Sequence, residues 1–218
     1  MVELISYTPF EKQLEKVPVI ANPRARKKMW ERYVKTVTLT GGFILEFGVA
    51  SGSSIGWFST NYPETRLVGF DSFFGLPESW DLGEHTIPQG HFSTNGKPPQ
   101  NIINNFPEVE FEVGLFQDTL PTFVEKNKNW YAKIIHLDAD LYSSTKFVLE
   151  NITSLLVPGT ILLFDELTHF PDHPQYIYNR MHEYRAFMEF CEARLDSFKY
   201  RFLARTTICQ VAVEILDI

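Results

Sequence analysis

Cysteine is nearly absent from this chain: Cys191 and Cys209 are the two among 218 residues. So few exclude a disulfide framework and make a reducing, cytoplasmic setting the simplest expectation. Long apolar runs are missing too, none approaching the roughly 18 residues that span a bilayer, so no membrane partner is expected. The opening Met1-Val2-Glu3-Leu4-Ile5-Ser6-Tyr7 has no basic stretch followed by an apolar one, so no signal peptide is expected. Positive charge is in deficit: 20 Lys and Arg face 27 Asp and Glu, a formal net charge of −7. That balance argues against nucleic acid as a partner. The Arg24-Ala25-Arg26-Lys27-Lys28 cluster reads as a solvated helix face. Repeats and low-complexity tracts are lacking as well. What is present is a globular composition, 44% hydrophobic and 22% charged, on a length that suits a single domain over 1–218 with a sizeable core.

Short apolar runs alternate with helical patterns. Five runs, at 43–48, 66–71, 109–114, 133–138 and 159–165, read as buried strands. They are mostly apolar on both faces, as strands covered by helices on two sides are. Helices are expected over 53–61, which opens on two serines, over 120–127 with Pro121 at its start, over 143–156, and over 176–195. The alternation predicts an α/β fold with a mainly parallel sheet. Two late strands, 198–203 and 207–216, are separated by Ala204-Arg205-Thr206, too short a break for a crossover helix, so they should be antiparallel. A mostly parallel central sheet with a C-terminal antiparallel hairpin and helices on both faces resembles the Rossmann-like fold of class I S-adenosylmethionine-dependent methyltransferases. The stretch 72–100 breaks the alternation, with four prolines, four glycines and no apolar period. Phe73, Phe74, Trp80 and Phe92 give it the aromatic content of an active-site lid; a plain surface loop is the alternative.

The first strand runs into Leu45-Glu46-Phe47-Gly48-Val49-Ala50-Ser51-Gly52-Ser53-Ser54. Gly48 and Gly52 permit a sharp turn and close approach of a ligand, with Ser51, Ser54 and the free N–H groups of the next helix beside them. Ligands of open α/β sheets bind at the carboxyl ends of the strands. The spacing is not G-x-G-x-x-G, and Glu46 suits a cationic ligand better than a pyrophosphate. S-adenosylmethionine, with its ammonium and sulfonium, is such a ligand. Asp71 lies 23 residues beyond Gly48, where a partner for ribose hydroxyls is expected, with Ser72 next to it; a turn cap is the alternative. After the third strand, Gln117 or Asp118 would accept from the adenine amine, or Asp118 or Thr119 would cap the helix. Asp138, Asp165 and Glu166 close the fourth and fifth strands, which in such a sheet neighbour the first. Three crowded carboxylates repel unless protonated or bound to a cation, and Mg²⁺ prefers oxygen ligands. Solvated strand-end acids are the alternative.

Longer strings sharpen the picture. Leu45-Glu46-Phe47-Gly48-Val49, Gly69-Phe70-Asp71-Ser72-Phe73-Phe74-Gly75-Leu76-Pro77, the Asp118-Thr119-Leu120-Pro121 turn and His136-Leu137-Asp138-Ala139-Asp140-Leu141-Tyr142-Ser143-Ser144-Thr145 together resemble the macrocin O-methyltransferases. That family methylates sugar hydroxyls on macrolides. The resemblance implies S-adenosylmethionine as donor, S-adenosylhomocysteine as product, Mg²⁺, a homo-oligomer and a role in natural product biosynthesis. It puts the metal acids on Asp138, Asp165 and Glu166, and Asp138 also at the donor. Glu166 stands where a shorter Asp or Asn is usual, and one more methylene moves the carboxylate by about 1 Å. The lysine base of related catechol-type enzymes falls on Leu141.

The implied reaction is methyl transfer to a hydroxyl of a small sugar-bearing or polyhydroxylated acceptor, with Asp138 and Asp165 in the reacting site. For a general base, His91 in the lid is preferred over His85. His169 and His173 would contact the acceptor or the ion, and His136 reads as a core histidine. The rivals are an NAD-dependent oxidoreductase and a non-catalytic binding protein on the same fold.

Overall fold

A computed structural model describes residues 8–21, 24–35, 37–83, 85–167 and 181–218. Its centre is an eight-stranded sheet. In chain order the strands are β1 (Val19–Ile20), β2 (Phe43–Phe47), β3 (Arg66–Asp71), β6 (Glu110–Val113), β7 (Ala132–Leu137), β8 (Ile161–Phe164), β9 (Lys199–Thr206) and β10 (Val211–Asp217). Across the sheet they run β1-β9-β10-β8-β7-β2-β3-β6. Neighbours from β8 to β6 are all parallel. β10 is antiparallel to both β8 and β9, so the returning hairpin strand inserts inside the sheet. The order brings the carboxyl ends of β2, β7 and β8 side by side, as the sequence predicts.

Strand alternation sorts the core into two layers. Phe43, Leu45 and Phe47 of β2, with Ile135 and Leu137 of β7, pack beneath α1 (Thr8–Leu14), α5 (Phe116–Lys126), α6 (Tyr142–Asn151) and α7 (Glu183–Glu192). Ile44 and Ile134 point the other way, towards α2 (Ala25–Met29), its π-helical continuation Trp30–Val34, α3 (Ser53–Asn61) and α4 (Gln100–Asn105). Glu46 and His136 share the parity of Ile44 and Ile134, and they are register partners between β2 and β7.

Several boundaries differ from the sequence reading: the helix expected over 143–156 ends at Asn151 and a 3-10 turn, Thr153–Leu155, follows it. Gly114, at φ +151°, turns the chain so tightly that α5 begins at Phe116 and Pro121 falls inside it. Ala204 and Thr206 stay in β9 because both are buried and Arg205 pairs with Val19 of β1; the break is 207–210. There Thr206 Oγ1 accepts from the backbone N–H of Ile208 (3.3 Å) and Gln210 (3.2 Å), closing the turn. The helix expected over 176–195 is described from Glu183 to Glu192, and His169 and His173 lie outside the described residues. No helix among the described residues is long and apolar enough to cross a membrane.

The 72–100 stretch carries a two-stranded hairpin of its own, β4 (Trp80–Asp81) with β5 (Thr86–Ile87). Leu76, Trp80 and Leu82 form a small core with Leu141 just ahead of α6. Nε2 of His182 donates to the Asp81 carbonyl at 2.8 Å, fastening the hairpin to the start of α7.

Candidate active site

A cavity of about 300 Å³ opens above the carboxyl ends of the parallel strands. One wall is the turn after β2. Gly48, at φ +93°, sits so close to β7 that a Cβ there would lie 1.8 Å from the Asp138 carbonyl oxygen. Gly48 N–H donates to Phe70 O, and Asp138 N–H to Phe47 O. The turn is therefore threaded between the tips of β3 and β7. Asp71 holds it from the side: Oδ2 accepts from the N–H groups of Val49 and Ala50, both at 2.8 Å, and Oδ1 from Phe73 at 2.6 Å. The capping role and a place on the cavity wall coincide in this one carboxylate.

Of the residues singled out in the sequence, Gly48, Ser51, Ser54, Asp71, Ser72, Gln117, Asp138 and Glu166 line the cavity. Glu46, Gly52, His91, Asp118 and Asp165 do not. Gly52 is backed by Pro99 and Ile102, Asp118 is exposed in the first turn of α5, and the exposed His91 ring packs against Phe92. Glu46 is 1% exposed; strand parity turns it away from the cavity, and Oε2 lies 3.9 Å from Nδ1 of His136. Burial pushes its pKa up. Phe92 and Trp80 from the 72–100 stretch reach the cavity.

The strand-end acids divide into two groups that share Asp138. Carboxylate oxygens of Asp138, Asp140 and Glu166 lie within 4.8 Å of one another, and so do ligand atoms of His136, Asp138 and Asp165. The set expected from the sequence, Asp138 with Asp165 and Glu166, is not brought together as such. Asp165 is engaged by cations instead: Oδ2 accepts from Arg26 Nη1 at 2.7 Å, and Oδ1 lies 3.6 Å from His136 Nε2. Arg26 also reaches Asp138 at 3.4 Å. This overturns the reading of Arg26 as part of a solvated face. Asp140 takes φ +59°, a left-handed conformation Asp tolerates, and lines the cavity.

Electrostatics follow from this placement. Burial, then the charge of Asp165, drives the Asp138 pKa well above the carboxylate range. Burial with the same neighbours does so for Glu166, and burial with Asp165 and Asp71 pushes Asp140 up to about 7. Glu183, fully buried, also rises, chiefly through burial; its Oε2 accepts the Glu166 N–H at 3.0 Å. Burial opposes ionisation of Asp165 as well, but His136 and Arg26 outweigh it and hold its pKa low. His136 is the converse case, lifted by Asp165 and Glu46 to about 10 in spite of its burial. Ionised carboxylates here want more positive charge than Arg26 and His136 supply. Among the described residues Glu166 Oε2 is buried without a hydrogen-bond partner, and three hard oxygen donors suit a divalent ion such as Mg²⁺.

The family model of the macrocin O-methyltransferases matches residues 24–192. The chain belongs to this family. Among curated proteins, the 8-demethyl-8-(2,3-dimethoxy-α-L-rhamnosyl)-tetracenomycin-C 4′-O-methyltransferase of Streptomyces olivaceus is 31% identical over 113 residues, 46% of this chain. The match spans 41% of that relative's length. Among solved structures, the calicheamicin methyltransferase CalS11 superposes with a TM-score of 0.64 at 26% identity, covering 86% of this chain and 77% of that one. The O-methyltransferase NovP gives 0.56 at 20% identity, covering 80% and 72%, a likeness of fold.

Proposed function

We propose that this family member transfers a methyl group from S-adenosylmethionine to a hydroxyl of a sugar-bearing or polyhydroxylated small molecule, with Mg²⁺ at the Asp138–Asp140–Glu166 group. One observation carries the reading: a single cavity is lined by the Gly48 turn, by Asp71 and by those three carboxylates. The curated relative's name, which specifies methylation of a rhamnosyl sugar, supports the acceptor class.

In this reading the donor lies along the β2 turn. Asp71 stands ready for ribose hydroxyls on lone pairs its three backbone donors leave over, Ser72 and Gln117 flank it, and Ser51 and Ser54 sit at the opening of α3. A cation in the cavity, the sulfonium included, favours the ionised forms of Asp138, Asp140 and Glu166, whose pKa values are raised in its absence. Trp80 and Phe92 exclude water from the acceptor side, which strengthens every charge interaction within. The bound ion would supply a positive charge that lowers the acceptor hydroxyl's pKa. Asp138 and Glu166 fix the direction from which an acceptor oxygen approaches, and holding it in line with the methyl supplies much of the rate.

Calorimetry with S-adenosylmethionine and a labelled-methyl screen of hydroxylated sugars and glycosylated polyketides test this directly. Binding, and turnover that chelator abolishes and Mg²⁺ restores, are expected. Absence of donor binding in folded protein would sink the reading, and saturable binding of a nicotinamide cofactor in its place would move it to the oxidoreductases. For the donor site, Asp71→Ala should weaken S-adenosylhomocysteine binding by about 1–3 kcal/mol, the scale of hydrogen bonds to a charged group. Unchanged affinity would remove Asp71 from the ribose role.

A further inference from the structure

We propose that Arg26 is the resident counter-cation of the strand-end acids, interchangeable with a divalent ion and therefore in competition with it. The inference rests on the ion site of the preceding reading and deepens it. Arg26 Nη1 bridges Asp165 Oδ2 (2.7 Å) and Asp138 Oδ2 (3.4 Å). The guanidinium lies over the Trp30 ring, 5.2 Å from its centre, a cation–π contact that helps hold it in place. Trp30 is in turn fixed by a stack on Phe58 and an edge contact with His136. Arg26 also lines the cavity that Asp138, Asp140 and Glu166 line.

Asp138 is the shared element. One of its oxygens faces Arg26, while the carboxylate also belongs to the group with Asp140 and Glu166. Among the described residues Glu166 Oε2 is buried with no hydrogen-bond partner, while Asp165 Oδ1 has only the longer contact to His136 Nε2 at 3.6 Å. The cluster thus holds more acceptor capacity than one guanidinium fills. A guanidinium and a divalent ion that share one carboxylate repel each other through a poorly screened path. The ion then binds against the charge of Arg26, and Arg26 keeps the acids compatible with folding when no ion is bound. The basic helix face is in this sense a working part of the site.

The test uses the full chain without donor. Mn²⁺, which shares the oxygen preference of Mg²⁺, is titrated by electron paramagnetic resonance into the wild type, Arg26→Gln and Arg26→Lys, and melting temperatures are followed with and without Mg²⁺. Arg26→Gln should bind Mn²⁺ about tenfold or more tightly than the wild type, and Arg26→Lys should stay within about threefold of it, because lysine keeps the charge. Mg²⁺ should raise the melting temperature of Arg26→Gln more than that of the wild type; a Gln variant that folds only with Mg²⁺ is the same result in stronger form. Equal or weaker Mn²⁺ binding by a folded Gln variant overturns the proposal, as does a Gln variant that stays unfolded at every Mg²⁺ concentration. Loss of S-adenosylhomocysteine affinity with unchanged Mn²⁺ affinity also overturns it, making Arg26 a donor ligand. If no form binds Mn²⁺, the ion site and this proposal fall together, while donor calorimetry on the same samples reports separately on the methyltransferase reading.

Discussion

Gly48→Ala is expected to weaken donor binding by about 100-fold, or to leave the protein unable to fold. The two possible sources of relief are both closed. The backbone at this position holds φ +93°, beyond the small left-handed region that L-residues tolerate. The added Cβ would stand 1.8 Å from the Asp138 carbonyl oxygen and 2.8 Å from its carbon. Both are main-chain atoms pinned by the β2–β7 ladder, so no flexible side chain end is there to give way. Overpacking typically costs about 1–3 kcal/mol, and the unfavourable dihedral adds about 1–2 kcal/mol. The sum is a large share of a stability of about 5–15 kcal/mol. Where the chain does fold, the turn must lift from β7 and carry Val49 and Ala50 off Asp71, and S-adenosylhomocysteine affinity should fall by about 100-fold, equivalent to about 2.7 kcal/mol. Gly56→Ala is the control. Gly56 lies inside α3 with an ordinary φ, and its added Cβ would meet the flexible tip of Ile102 at 3.0 Å and the Phe106 ring at an ordinary 3.8 Å. Helix propensity favours alanine there by about 0.5–1 kcal/mol, so melting temperature and donor affinity should change little. Calorimetry and thermal melts on the two variants decide the matter; a Gly48→Ala protein with wild-type affinity would mean that the turn is not the donor's seat.

The parts of this site that were legible in the sequence are those fixed locally. Strands buried on both faces read as continuous apolar runs, and their acidic ends, Asp71, Asp138 and Asp165, follow directly. The glycine turn reads from Gly48, because a sharp reversal after a buried strand needs its backbone freedom. The same continuity conceals parity. In Phe43-Ile44-Leu45-Glu46-Phe47 no polar alternation tells which face is which, so nothing local marks Glu46 as pointing towards His136. Asp140 was visible in the Asp-x-Asp string, but its left-handed backbone, which swings it onto the cavity wall, was not. Arg26 carried no local signal at all: its partners Asp138 and Asp165 lie 112 and 139 residues away. A cation brought in across the sheet by an early helix becomes evident only once the helix is placed. Glu183 is hidden for the same reason, since its partner is a backbone amide 17 residues earlier.

Asp138→Asn is expected to move function and stability in opposite directions. Asparagine keeps the shape and leaves the main chain that packs on Gly48 untouched, but it removes the charge shared by the two acid groups. If Asp138 holds the ion, turnover should fall by about 10³-fold or more, since metal polarisation contributes several kcal/mol. Stability of the donor-free, ion-free protein should rise. A carboxylate whose folded pKa is raised is destabilised in its ionised form, and that is the state of Asp138 beside Asp165 and Asp140. The sign of the pH dependence follows. Acids with raised folded pKa values contribute stability that is fully present below their unfolded pKa and is lost as pH rises through the folded value. Asp140, at about 7, joins Asp138, Glu166 and Glu183 in this behaviour. His136, lifted to about 10, acts in the same sense, its contribution present at low pH and lost as pH climbs towards that value. Asp165 has the opposite sign, but its lowered pKa places its loss at acid pH, outside the window of interest. The ion-free wild type should therefore melt higher at about pH 5.5 than at pH 7.5, with Asp138→Asn flattening the slope and Mg²⁺ restoring stability at the upper end. Melting curves that rise with pH, or an Asp138→Asn protein that is both less stable and fully active, would show that these carboxylates are ordinary strand-end caps.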